Sequence, residues 1–218
     1  MSAPVELRVG RLMEERGLTR EQAWAEIDAD ALAQPDPTAG EPWGDASAAL
    51  RRLLLDSVGA DPDADRPLAA VTGKDAAVAL RRAYRRQLAA IALRDLDSAD
   101  PAAVMPSVGR WLADLAGAAV DAALAVSRAT LAEREGPAVD RVDLAVIGMG
   151  KCGARELNYI SDVDVVYVGE TRASDAGDAP DQSTSTEIAT EMAHTLAQAM
   201  MAAGPEPALW EVDANLRP

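Results

Sequence analysis

The sequence is poor in the residues that build several common kinds of site and core. Its 218 residues include no Phe, one Cys and one His. A single cysteine, Cys152, excludes an internal disulfide and a Cys-rich zinc site. A single histidine, His194, excludes His-rich metal sites and disfavours a Ser-His-Asp hydrolase. An apolar content that rests on Ala, Leu and Val favours close-packed helices over an aromatic-rich β-sandwich.

Basic residues are outnumbered, and long apolar runs are missing. The formal net charge is -15, whereas a nucleic-acid-binding surface needs a basic footprint, so we expect no nucleic-acid partner. The sequence has no amino-terminal apolar run of signal length and no uninterrupted stretch of 18 apolar residues. We therefore expect no membrane partner and a cytoplasmic location.

Helical periodicity dominates the chain before residue 138. The first 34 residues read as a helical pair, in which Gly17 ends the first helix and Thr19 and Gln22 form a capping box for the second. We predict a helical region over 1–137, with a linker near 35–45, followed by a region of strand character over 138–218. Further helices are predicted at 46–58, 74–97 with a cap at Thr72, 107–133, and from Thr184 to about 203 with a Thr184–Glu187 capping box. The arginines of the 74–97 helix are interpreted mainly as a solvated face, with contact to a nucleotide or an acidic protein as the alternative. His194 is expected at the surface of the last helix.

A glycine-rich turn follows a strand-like apolar run. Its glycines are Gly148, Gly150 and Gly153, and their spacing matches a dinucleotide-binding fingerprint, with Glu170 at the offset expected for a ribose ligand. A parallel crossover usually needs about a dozen residues or more and a full helix. Residues 154–160 leave room for only about two helical turns before the next strand. A Rossmann-type dinucleotide site is therefore the weaker of two interpretations.

The next strand carries a pair of aspartates. In the run SDVDVVYV, strand alternation places Asp162 and Asp164 on one face. Two carboxylates so close repel unless a cation lies between them, and hard oxygen ligands suit Mg²⁺. The alternative is an exposed strand with its acids in water. A later predicted strand brings a third carboxylate, Asp213, in the order that a two-metal nucleotidyl-transfer site needs.

These runs resemble a known family. GMGKCGARELNYISDVDVVYV, with LRRAYRRQLAAIALRDL upstream and LWEVDANLRP downstream, closely resembles the glutamine synthetase adenylyltransferase/adenylyl-removing enzymes of the nucleotidyltransferase superfamily. The resemblance covers residues 45–218. It implies an α+β fold, with an amino-terminal helical region and a nucleotidyltransferase-type mixed sheet with flanking helices. The ELNY run through Asn158 resembles the amino-terminal catalytic copy of that family, which removes AMP from adenylylated glutamine synthetase by phosphorolysis.

The resemblance also implies roles for particular residues. Asp162, Asp164 and Asp213 would be the catalytic carboxylates and the Mg²⁺ ligands. The residues that would face the phosphates of ATP, AMP or ADP, or inorganic phosphate, are Gly148, Gly150, Lys151, Gly153 and Ser161. The implied protein substrate is glutamine synthetase, and a PII-type signal protein is a possible regulator.

Two other interpretations remain open at the level of sequence. Members of that family run to several times this length, and this chain ends at Pro218, soon after Asp213. We therefore expect a truncated catalytic core, which could also be an inactive fragment that binds glutamine synthetase or a regulator. The third interpretation is the Rossmann-type nicotinamide binder, which requires Glu170 to contact ribose.

Overall fold

The computed structural model describes residues 45–172 and 180–214, together with Met13, Gly17, Thr19 and Gln22. The chain is α+β, as predicted from the sequence. In chain order its elements are helix α1 (Asp45–Ser57), α2 (Gly73–Leu96), α3 (Pro101–Glu135), a 3₁₀ helix (Gly136–Arg141), strand β1 (Val142–Gly148), the single turn α4 (Gly150–Gly153), β2 (Val163–Thr171), α5 (Gln182–Met201) and β3 (Val212–Asp213).

The three strands form one mixed sheet in the order β1-β2-β3. Strands β1 and β2 are antiparallel, whereas β2 and β3 are parallel. Alternate residues of β2 face opposite sides of the sheet, so Val163 and Val165 are buried while Asp164 lies on the other face. The inner face of the sheet packs against helices, and the outer face carries the aspartates.

Helix α3 lies at the centre of the fold. Leu115, Ala119 and Ala122 on it are fully buried, and its small alanine side chains let α1, α2 and α5 approach closely. The segment Pro101–Arg141 is long and apolar enough to cross a membrane by length and composition, but 72% of its most apolar window is buried inside the fold. That degree of burial is typical of the core helix of a soluble protein.

The caps of three helices differ from the sequence prediction, either in position or in hydrogen bonding. Thr72 is the N-cap of α2, but its side chain makes no capping hydrogen bond. Helix α3 starts before residue 107, because Asp100 caps it by accepting from the Ala103 N–H and Pro106 is accommodated in its first turns. For α5 the predicted Thr184–Glu187 box is wrong, since Asp181 accepts from the Thr184 N–H at 2.8 Å.

One amino-terminal prediction is confirmed in atomic detail. The Thr19 N–H donates to Gln22 Oε1 at 2.9 Å, and the Gln22 N–H donates to Thr19 Oγ1 at 3.2 Å, which is the reciprocal capping box. Gly17 adopts the left-handed conformation (φ 65°) expected after a helix. The rest of the predicted helical pair and the 35–44 part of the linker lie outside the described residues. The division of the chain near residue 137 stays a prediction.

Candidate active site

The glycine turn closes directly over strand β2. After β1 ends at Gly148, the Met149 N–H donates to the Asp164 carbonyl at 2.8 Å. Gly150 has φ +51°, and a Cβ there would overlap Asp164 Oδ2; a Cβ on Gly153 would overlap the Gly148 carbonyl oxygen. Both positions therefore need glycine for space, and Gly150 needs it for conformation as well. The Asp164 carboxylate lies against the turn.

The parallel pairing of β2 with β3 brings two of the predicted carboxylates side by side. Asp164 and Asp213 are direct register partners, so their Cα atoms lie about 4.8 Å apart and their side chains share one face of the sheet. Both residues are half-buried, whereas Asp162 precedes the strand and is exposed. The strand predicted from residue 208 is much shorter in the structure, where β3 spans only Val212–Asp213.

The three predicted metal ligands do not form a ready-made cluster. Within the described residues, no group of three or more His, Cys, Asp or Glu side chains stands close enough to hold a metal ion. The fold thus places Asp164 beside Gly150 and Asp213 beside Asp164, and the role of all three aspartates as metal ligands stays a prediction. Lys151 is exposed on the turn and Ser161 is half-buried just before β2.

Two parts of the glycine-turn interpretation are decided by the fold. Strands β1 and β2 are antiparallel, so the parallel crossover of a Rossmann unit is absent here, and Glu170 lies at the far end of β2 from the turn. Residues 154–160 form no helix. The helical turn is Gly150–Gly153 itself, because the glycines close the turn before residue 154 is reached.

An ion pair fixes the turn to helix α3. Arg155, directly after the turn, is the one non-glycine residue with positive φ (59°) in the described part of the chain. Its Nη2 donates to both carboxylate oxygens of Asp114 at 2.6 Å. Burial raises the pKa of Asp114 above its ordinary value, although the hydrogen bond and the charge of Arg155 act in the opposite direction. The ion pair with Asp114 thus offsets the unfavourable backbone conformation of Arg155.

Arginines of helix α2 hold the segment that leads into β3. Arg81 is 2% exposed. Its Nε donates to the Ala199 carbonyl at 3.0 Å, and its Nη1 donates to the Glu206 carbonyl at 2.8 Å. Arg85 Nη2 donates to the carbonyl of Ala208 at 2.9 Å. These guanidinium groups satisfy carbonyls that the end of helix α5 and the following loop leave open.

An aromatic pair completes the same contact. Trp210 Nε1 donates to the Tyr84 hydroxyl at 2.9 Å, and the rings meet edge to face with centroids 6.3 Å apart. One residue later, the Glu211 carbonyl accepts from the Val163 N–H at 2.9 Å. Helix α2 therefore sets where β3 meets β2, and with it the position of Asp213.

Sequence reasoning treated the arginines of α2 mainly as a solvated face. The signal that could have found the inward ones is their spacing. Arg81 and Arg85 are four residues apart and lie on the face that also carries Tyr84. A helix that ends before Gly204-Pro205 leaves carbonyls that a buried arginine can satisfy. The exposed position predicted for His194 is confirmed; its ring shares a 2.7 Å hydrogen bond with Gln198.

Comparison with known proteins identifies the family of the chain. Residues 31–218 match the family model of glutamate-ammonia ligase adenylyltransferase. The chain belongs to that family. Among curated relatives, the bifunctional glutamine synthetase adenylyltransferase/adenylyl-removing enzyme of Leifsonia xyli subsp. xyli is 47% identical over 178 residues, which is 79% of this chain and 17% of the relative.

Two further relatives with the same name also match most of this chain over a small share of their own length. That of Bifidobacterium longum (strain NCC 2705) is 44% identical over 78% of this chain and 15% of its own length. That of Streptomyces coelicolor is 46% identical over 65% of this chain and 13% of its own. The matched part of the chain thus spans 13–17% of the length of these curated relatives.

Proposed function

We propose that this chain is a catalytic core of a nucleotidyltransferase that acts on glutamine synthetase, removing AMP from its adenylylated tyrosine or adding it. The relatives carry both activities in their names. The observation that carries the proposal is the register pair Asp164–Asp213 beside Gly150. A carboxylate pair next to a glycine turn is what phosphoryl chemistry with a divalent cation needs.

The carboxylates fit Mg²⁺. Asp164 and Asp213 offer hard oxygen donors on one face of the sheet, and the missing Cβ of Gly150 leaves space at Asp164 Oδ2. Asp162, two residues before Asp164 and exposed, would add a third oxygen donor. When bound, Mg²⁺ would supply positive charge that stabilises the phosphoryl oxygens of the transition state.

The turn would receive the phosphate groups. Gly148, Gly150 and Gly153 let the backbone approach a ligand without side chains in the way. Lys151 is an exposed cation on the same turn, and Ser161 offers a hydroxyl at the entry to β2. Together they would bind and orient the nucleotide phosphates and inorganic phosphate, with ATP, ADP or AMP as the nucleotide.

The ELNY run favours removal of AMP. In that reaction an oxygen of inorganic phosphate forms a bond to the AMP phosphorus, the bond from that phosphorus to the tyrosine oxygen breaks, and the products are ADP and a tyrosine that has regained its proton. Inorganic phosphate is already anionic, so no histidine base is needed. His194 on α5 is exposed and bonded to Gln198. A PII-type regulator and a cytoplasmic location belong to the same proposal.

The test is phosphate-dependent release of AMP, as ADP, from adenylylated glutamine synthetase in the presence of Mg²⁺. We expect Asp164→Asn to lower the rate by about a hundredfold or more, since it removes a charged ligand from the reacting centre. The matched control is Asp65→Asn, which changes an exposed aspartate far from the turn in the sequence and leaves the rate unchanged.

Equal rates for Asp164→Asn and the wild-type chain would overturn the proposal. A chain that binds glutamine synthetase but shows no turnover, with binding unaffected by Asp164→Asn, would instead support the non-catalytic binding fragment.

A further inference from the structure

A cavity of about 530 Å³ lies between the sheet and helix α3. Its sheet wall includes Val163 and Val165, the inner-face neighbours of Asp164 on β2. Because side chains alternate along a strand, this cavity opens on the opposite face of the sheet from the Asp164–Asp213 pair. Its volume falls in the range of small-molecule sites, about 300–1,000 Å³.

The helix wall of this cavity is charged. Arg51, Arg128 and Arg155 line it, together with Asp114 and Asp121. Two of the arginines are neutralised within the cavity wall: Arg51 Nε pairs with Asp121 at 2.8 Å, and Arg155 Nη2 pairs with Asp114 at 2.6 Å. Because the third arginine has no acidic partner among these lining residues, the cavity wall carries one net positive charge.

Arg128 is that third arginine. Its Nε atom is buried and, within the described residues, has no hydrogen-bond partner. Burial lowers the pKa of Arg128, nearby Arg66 lowers it further, and Asp143 and Asp121 raise it. Both acids are engaged elsewhere, since Asp143 pairs with Arg66 at 3.2 Å and Asp121 pairs with Arg51. The Arg128 side chain is half-buried, and a cation with a buried, unpartnered Nε favours a nearby anion.

We propose that this cavity binds a small organic anion, with the anionic group at Arg128 and an apolar part against Val163 and Val165. An inorganic anion alone would leave most of the cavity empty. The valine wall supplies apolar area, and the guanidinium supplies charge and directional hydrogen bonds to a carboxylate or phosphate group. The cavity borders the glycine turn at Gly148, Cys152 and Gly153, but it lies across the sheet from the Asp164–Asp213 pair. The proposal therefore does not depend on metal binding at those carboxylates.

Thermal unfolding at constant ionic strength tests this with four probes: phenyl phosphate, benzoate, inorganic phosphate and neutral benzyl alcohol. We expect phenyl phosphate or benzoate to raise the Tm by a few degrees, saturably, and the stronger of the two to identify the anionic group. Inorganic phosphate and benzyl alcohol, each lacking half of the ligand, have smaller effects. Arg128→Gln abolishes the shift, whereas Arg134→Gln, an exposed arginine on the same helix, retains it.

A shift of equal size in Arg128→Gln, an equal shift with benzyl alcohol, or no shift with any probe would overturn the proposal. Methyl resonances of the wild-type chain give a second test that needs no variant. On titration with the stronger probe, the signals of Val163 and Val165 move, and that of Val168, exposed on the outer face, does not. Movement of Val168 without the other two contradicts the cavity site.

Discussion

Along one edge, strand β2 pairs with β1 through seven antiparallel residue pairs, whereas along the other edge it pairs with β3 through two parallel pairs. The β1 edge rests on a backbone ladder that the chain makes with its near neighbour in sequence. The β3 edge depends on side chains of helix α2, which is distant in the sequence: Arg81 and Glu206, which form a hydrogen bond, are 125 residues apart. The two carboxylates that share a face thus depend on different kinds of support.

The largest effect should come from removing the buried arginine on the β3 edge. Arg81→Met takes away the guanidinium that satisfies carbonyls at the end of α5, so we expect the free energy of unfolding to fall by about 3 kcal/mol. Arg82→Met is the matched control, because the Arg82 side chain is 55% exposed in its pair with Glu206 and such pairs contribute about 0–1 kcal/mol. Urea denaturation measures both.

Equal losses in the two variants would show that the buried contact does not hold the β3 edge. Arg81→Lys keeps the charge but not the fork of N–H donors, so we expect it to restore only part of the lost free energy of unfolding.

On the β1 edge the sensitive position is Gly150. Gly150→Ala forces a side chain into a left-handed conformation and against the Asp164 carboxylate, at a cost of roughly 1–3 kcal/mol. We expect AMP release to drop about tenfold or more, since Asp164 must move. Gly117→Ala on helix α3 is the control, because a Cβ there meets nothing within 4 Å. Its activity is unchanged; a similar loss in both variants would contradict the steric argument.

The smallest effect concerns Tyr84. Tyr84→Phe removes the acceptor of the Trp210 Nε1–H bond, and we expect a loss of about 1 kcal/mol in the free energy of unfolding at neutral pH. Tyr167→Phe, on a half-buried tyrosine of β2, is the control. No change in Tyr84→Phe would mean that water replaces the bond.

The pH dependence of the same variant has a definite sign. Burial raises the pKa of Tyr84 to about 12, above the 10 of a free tyrosine. The folded state therefore keeps the phenol proton that the unfolded chain releases first. The contribution of Tyr84 to the free energy of unfolding is therefore complete below pH 10 and is lost as the pH rises toward 12. Tyr84→Phe should flatten that part of the wild-type curve, and an unchanged slope would show that another group causes it.

The sequence predicted the parts of the fold that depend on local pattern. Helical periodicity located α1, α2 and α5, and strand alternation located β2 with Asp164 on one face. The Thr19–Gln22 box and the conformation of Gly17 followed from capping chemistry. Pro106 concealed the true start of α3, because a proline in the first turns of a helix reads as a break when the cap at Asp100 is overlooked.

The site was only half predictable for a similar reason. The order of glycine turn, paired aspartates and later Asp213 pointed to residues of which the fold brings Asp164 and Asp213 together, and the short connection argued correctly against a parallel unit. The pairing of Asp164 with Asp213 is a contact between distant parts of the chain, and it depends on Arg81 and Tyr84 of an earlier helix. No local pattern encodes such a contact, so the inward arginines were taken mainly for a solvated face.

The central claim is that Asp164 and Asp213 act together at one cation site. Titration with Mn²⁺, followed by electron paramagnetic resonance, tests it directly on the wild-type chain, Asp164→Asn, Asp213→Asn and the double variant. We predict that each single variant weakens Mn²⁺ binding by about ten- to a hundredfold. The double variant should lose less affinity than the product of the two single losses, because both carboxylates hold the same ion. Independent, additive losses, or binding that neither variant changes, would contradict it.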